Sequence, residues 1–76
     1  MKSQTQNLAD KITLFFEHFD MLGGATPQEM YDATYNALAS NNLEEIKIIK
    51  DYFRDIRWAN QRAQDIYREL DLYYGG

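Results

Sequence analysis

Apolar side chains in the first part of the chain recur at alternating steps of four and three residues. This spacing places them along one face of a helix, and the opposite face carries Asp10, Glu17 and Asp20. Gly23 and Gly24 follow, and glycine is the usual residue just past a helix end. We therefore predict an amphipathic helix over about residues 4–22 with an acidic outer face. The apolar stripe consists of Leu8, Ile12, Phe15, Phe19 and Leu22.

A second helix is predicted from its start signal. In Thr26-Pro27-Gln28-Glu29, threonine can cap the first amides, proline suits the first helical position, and glutamate completes a capping box. Weak apolar periodicity then extends the helix over about residues 27–39. The polar turn at residues 40–42 ends it, and one of the two asparagines in that turn is expected to cap a third helix.

The third apolar pattern is the longest, and no glycine or proline interrupts it between Leu43 and Gly75. Steps of three and four continue for four heptads, which predicts one helix over about 43–73. We thus expect a single all-α domain over residues 1–76, in which a helical hairpin packs on a long C-terminal helix. The residues that recur at these steps form one face of the helix, which we call the seam: Ile46, Ile49, Phe53, Ile56, Asn60, Ala63, Tyr67, Leu70 and Tyr74.

Such a third helix would be about 46 Å long, and the second helix, returning from a short turn, would cover only its first half. The far half would then pair with the first helix in an elongated monomer, or with a second copy of the chain. We favour a homodimer, because an exposed apolar stripe of that length is unstable in water. Asn60 would fix the register of the pair or lie at a wet edge. The expected self-association residues are Asn60, Ala63, Tyr67, Leu70 and Tyr74.

The composition of the chain mainly excludes classes of function. The chain has 76 residues, no cysteine, a net charge of −4 and a pI near 4.7, which argue against disulfides, thiolate metal sites and binding to nucleic acid. No signal peptide or membrane span is visible, so a cytoplasmic protein is expected. His18 is the only histidine, and we interpret it as an exposed helix residue. No nucleophile, phosphate-loop or metal motif occurs, so we expect neither enzymatic activity nor a cofactor.

Trp58 is the most informative single residue, because its neighbours at helical spacing are all polar. A tryptophan flanked by arginines has the composition of a binding hot spot. Packing in the core, or stacking of an arginine on the indole, would also explain it. We group it with Tyr52, Arg54 and Arg62 as candidate anchors for a partner protein.

The charge is uneven along the chain. Residues 1–42 carry two bases and five acids, for −3, and residues 43–76 carry six bases and seven acids, for −1. The acidic stripe of Asp10, Glu17 and Asp20 would therefore steer the first part toward a basic partner. Phage- and plasmid-borne accessory proteins often combine such a small size with such a charge.

The sequence leaves three functional hypotheses. The first is a non-enzymatic regulator, adaptor or inhibitor that occupies the surface of an unidentified partner protein. The second is a structural subunit that oligomerises with copies of itself. The third is a small-molecule binder that uses tyrosines at a subunit interface.

Overall fold

A computed structural model describes residues 3–19 and 22–74 of the chain. In this part the regular structure is entirely helical, without a strand. Four helices follow one another along the chain, so the predicted all-α class is confirmed, whereas the predicted number of three helices is wrong. The helices are α1 (Gln4–His18), α2 (Pro27–Ala39), α3 (Leu43–Ile56) and α4 (Gln61–Tyr74).

Side-chain caps explain where the first three helices begin. α2 starts as predicted: the Glu29 amide donates to the Thr26 hydroxyl at 3.1 Å, and the Thr26 amide donates to the Glu29 carboxylate at 3.0 Å. Ser3 and Gln6 form an equivalent capping box at α1, which we had not predicted. Asn42 is the asparagine that caps α3, accepting from the Glu45 amide at 3.3 Å.

The first helix is shorter than its apolar stripe suggested. It ends at His18, with Phe19 as its cap residue, rather than at Leu22. The two glycines, at φ of +60° and +92°, form the connecting turn four residues further on. A backbone with positive φ suits glycine and strains other residues, so Gly23 and Gly24 act as the turn itself rather than as the helix cap.

The predicted 43–73 helix is interrupted by a turn, and this is the main correction to the fold. α3 ends at Ile56, residues 57–60 form the turn, and α4 begins at Gln61. α4 folds back and packs on α3. The half of the seam that was expected to lack an intramolecular partner therefore has one in α3.

The chain divides into two compact units, Met1–Ser40 and Asn41–Gly76. In the first unit α1 packs on α2, and in the second α3 packs on α4. Each unit is a helical hairpin with its own set of buried side chains. Those of the first unit include Leu8, Ala9, Ile12, Phe15, Ala37 and Leu38, and those of the second are Ile46, Phe53, Ala63, Ile66 and Leu70.

Candidate protein-binding site

The turn between α3 and α4 carries Trp58, and hydrogen bonds hold the turn at both ends. On the α3 side, the Ala59 amide donates to the Ile56 carbonyl at 3.1 Å. On the α4 side, Asn60 Oδ1 accepts from the Arg62 amide at 2.8 Å and from the Ala63 amide at 3.3 Å. Asn60 is thus the N-terminal cap of α4, a role that the sequence reading did not consider.

Trp58 projects from this turn into solvent. Its side chain is 83% exposed, which is the largest exposure among the big apolar residues of the described chain. The first helix therefore does not cover Trp58 as a core residue, and burial by a second chain stays a prediction. An indole of this size is normally buried on folding, so its exposure at an ordered turn is the most unusual apolar feature of the surface.

Arg57 lies against the indole and completes the site. Its guanidinium carbon is 4.7 Å from the Trp58 ring centroid and 5.1 Å from that of Tyr67 on α4. The stacking of an arginine on Trp58, one of the alternatives considered, is confirmed. We had not selected Arg57 as a site residue, although its place beside Trp58 was a visible signal. Its contact with Tyr67 depends on the fold-back of α4 and could not be read from the spacing.

The other predicted anchors surround the turn in sequence but differ in exposure. Arg62 is exposed in the first turn of α4. Arg54 is exposed near the end of α3, where its guanidinium lies 3.7 Å from both Asp51 and Asp55. Tyr52 is half-buried, with its ring edge-on to Phe53 at 5.3 Å. Arg57 and Trp58 thus lie in the turn itself and Arg62 lies in the helix that follows it, whereas Tyr52 belongs partly to the packing of the second unit.

The predicted acidic stripe lies in the first unit, on α1. Glu17 is exposed near the end of α1 and Asp10 is half-buried in its middle. Asp20 lies outside the described residues. The stripe is therefore a feature of the first unit, and the tryptophan turn is a feature of the second.

The predicted self-association residues have two different environments. Ala63 and Leu70 are completely buried, because α4 packs on α3 within the same chain. Tyr67 and Tyr74 are half-buried and line a groove of about 350 Å³ along the second unit. The groove is also lined by residues that include Leu43, Ile46, Lys50 and Arg54.

An ion pair connects the two helices beside this groove. Lys50 Nζ on α3 lies 2.8 Å from Asp71 Oδ1 on α4, and the Lys50 side chain is only 23% exposed. The hydrogen bond to Asp71 raises the pKa of Lys50 above its ordinary value of 10.5, against the opposing effect of burial. Lys50 also lies 6.0 Å from the Tyr67 ring centroid. This pair is a polar contact that links α3 to α4.

Metal-binding clusters are not found in residues 3–19 and 22–74. No group of three or more histidine or acidic side chains is placed to hold a metal ion there. His18 is exposed, as predicted, and its ring lies edge-on to Phe19 at 4.8 Å. None of the described helices has the length and apolar content needed to cross a membrane. The tryptophan turn is therefore the strongest candidate for function in the described chain.

Comparison with protein-family models, with curated proteins and with solved structures gives no match for this chain.

Proposed function

We propose that this protein is a non-enzymatic regulator, adaptor or inhibitor that binds a partner protein through the tryptophan turn, residues 57–60. The exposure of Trp58 carries the proposal. A large indole is held in water by a short turn whose two ends are hydrogen-bonded to the flanking helices. Tryptophan and arginine are the residue types most typical of such anchors at protein interfaces.

The size of the indole sets the expected energy of such a contact. Burying about 150 Å² of an aromatic side chain is worth roughly 4 kcal/mol at 25 cal/mol per Å². Ordering costs reduce this gain, but the turn already restricts the backbone and Arg57 already packs on one ring face. We therefore expect truncation of Trp58 to weaken binding by about 2–4 kcal/mol, or roughly 30- to 1,000-fold in Kd.

Charge supports a particular kind of partner. Three of the four excess negative charges belong to residues 1–42, and exposed Glu17 lies in that part. A partner with a basic surface would be attracted by the charge of this part of the chain, whatever the position of the pocket that accepts the indole. Long-range attraction would then raise the association rate, while the indole would contribute mainly to the lifetime of the complex.

A comparative capture experiment tests this proposal. The immobilised wild type, Trp58→Ala and Leu72→Ala are exposed to lysate of the source cells, and bound proteins are quantified by mass spectrometry. Leu72 is the matched control, because it is an apolar side chain of the same unit that is 72% exposed. A true partner binds the wild type and the Leu72 variant and is lost with the Trp58 variant. Equal capture by all three proteins would contradict the proposal.

Self-association is a second proposal, and it corresponds to the structural-subunit hypothesis. It is supported by the seam, whose spacing of three and four residues continues across the turn from Phe53 and Ile56 to Asn60 and Ala63. Sedimentation of the wild type over a wide concentration range tests it. A monomer at every concentration would contradict this proposal without affecting the first.

A further inference from the structure

We propose that the second unit exchanges α4 with a second copy of this chain, so that α4 of each protomer packs on α3 of its partner. This inference rests on the self-association proposed above and specifies its geometry. It does not depend on binding by Trp58. Exchange of an identical element is a low-cost route to a dimer, because the exchanged contacts are those already made in the monomer.

The backbone of the α3–α4 turn permits this opening. Positive φ angles occur in the other two turns, at Gly23, Gly24 and Asn41, and nowhere else in residues 3–19 and 22–74. Arg57 has φ −60° and ψ −25°, which are helical values. The turn also contains neither glycine nor proline. Arg57 is thus already helical and no residue of the turn has a left-handed backbone, so the turn can become helical without forcing any residue into a strained conformation.

The seam keeps its phase through the turn, so the seam positions on both sides of it would share one face in the open form. If residues 57–60 take helical torsions in the dimer, Ile56 and Asn60 fall on the same face as Phe53 and Ala63. Ile56 is half-buried and Ala59 is exposed in the hairpin. In the exchanged pair these residues lie where the two chains cross, so they gain a new surface to pack against.

The contacts between α3 and α4 transfer without change. The Lys50–Asp71 ion pair and the approach of Lys50 to Tyr67 would form between protomers instead of within one. Opening removes the two hydrogen bonds of the Asn60 cap, and association costs the translational and rotational freedom of a second molecule. In return, main-chain hydrogen bonds form across the former turn. The dimer is therefore expected to depend on protein concentration.

Charge reversal of the ion pair distinguishes exchange from any other self-association. Lys50→Asp places two carboxylates opposite each other, and Asp71→Lys places two ammonium groups opposite each other. When the two full-length variants are refolded together, an exchanged heterodimer contains one native pair and one reversed pair, both attractive. We expect native mass spectrometry to find heterodimer in excess of the statistical ratio by about threefold or more.

The matched control is an ion pair confined to one helix. Lys47 Nζ lies 3.1 Å from Asp51 Oδ2, four residues further along α3. Mixing Lys47→Asp with Asp51→Lys restores neither pair, because both partners always belong to the same chain. This mixture should give the statistical ratio, and circular dichroism of each variant alone verifies that it is folded.

A second variant tests the turn without touching the ion pair. Inserting Gly-Ser-Gly-Ser between Ala59 and Asn60 relaxes the connection and should weaken the dimer at least about tenfold, since short hinges favour exchange. A wild-type dimer that shows no heterodimer preference, or that survives the insertion unchanged, would overturn exchange and leave self-association standing. A wild type that remains monomeric at every concentration would overturn both.

Discussion

Replacement of Asn60 by alanine tests whether the second unit is a hairpin or a single long helix in the monomer. In the hairpin, Asn60 Oδ1 accepts hydrogen bonds from the Arg62 and Ala63 amides at 2.8 and 3.3 Å. Alanine cannot accept them, and loss of such a cap costs about 1 kcal/mol. In a long helix, Asn60 would lie in the interior, where alanine is more favourable than asparagine by roughly 0.6 kcal/mol. The two structures therefore predict opposite signs.

Thermal and urea unfolding, followed by far-UV circular dichroism at low protein concentration, measure this sign. For a chain of this size, a loss of about 1 kcal/mol corresponds to a fall in Tm of roughly 4–8 °C. Asn60→Asp should retain most of the stability, because aspartate is an equally good cap. Asn42→Ala provides a reference, since Asn42 caps α3 through one comparable bond to the Glu45 amide.

An increase in Tm for Asn60→Ala would refute the reasoning, because only an interior helical position gains stability from this change. A fall in Tm for Asn60→Ala that equals the fall for Asn60→Asp would refute it in another way. It would show that the Asn60 side chain stabilises the protein through a group other than its acceptor oxygen. The sign of the change in Tm therefore shows whether residue 60 caps a helix or lies inside one.

Two further predictions concern the packing of α4 and the start of α2. Leu70→Ala should lower the free energy of unfolding in urea by about 2–5 kcal/mol, because Leu70 is completely buried. Leu72 is exposed, so Leu72→Ala should change it by less than about 0.5 kcal/mol. Equal effects of the two substitutions would contradict the packing of α4 on α3. At α2, hydrogen bonds with the Thr26 amide and hydroxyl hold the pKa of Glu29 below its ordinary 4.5, so its stabilising contribution is present above pH 4.5 and is lost as the pH falls through the lowered value. An NMR titration should show the lowered pKa and its partial return in Thr26→Val, and a Glu29 that titrates at 4.5 would contradict the capping box.

The parts of the fold that followed from the sequence are those controlled by local chemistry. α2 has the predicted bounds because Thr26, Pro27 and Glu29 specify its start through their own side chains and backbone. The all-helical class followed from apolar spacing alone. The capping residues lie three apart and the apolar residues recur every three or four positions, so both patterns are visible in a linear sequence.

The turn at residues 57–60 could not be predicted in the same way. The apolar spacing is identical for one long helix and for two helices joined there, because Ile56 and Ala63 keep the phase of the seam. Asn60 was assigned to the seam, and its role as a cap was not predicted, although asparagine is found in both positions. The choice depends on the packing of α4 against α3, which is a contact between residues distant in the chain.

The candidate site was only partly predictable for the same reason. Trp58 was selected from its polar neighbours, and its indole is exposed at the turn. Arg57 lies close to both Trp58 and Tyr67 because α4 packs back on α3, and this packing is not visible in the sequence. Tyr52, by contrast, was assigned to the site from its residue type, and the packing of α3 placed it half inside the unit.

The two proposals reinforce each other through the position of Trp58. With residues 57–60 in helical torsions, Trp58 is two residues from Ile56 and two from Asn60, which places it on the outer face, opposite the seam. The indole would therefore stay exposed after exchange, and the two copies would lie at the middle of the pair, where the chains cross. A dimer of this kind presents two anchors at a fixed separation, so a partner with a repeated pocket would bind it far more tightly than it binds the monomer. The affinity for such a partner should then rise with protein concentration, and that rise should disappear when the inserted residues keep the chain monomeric.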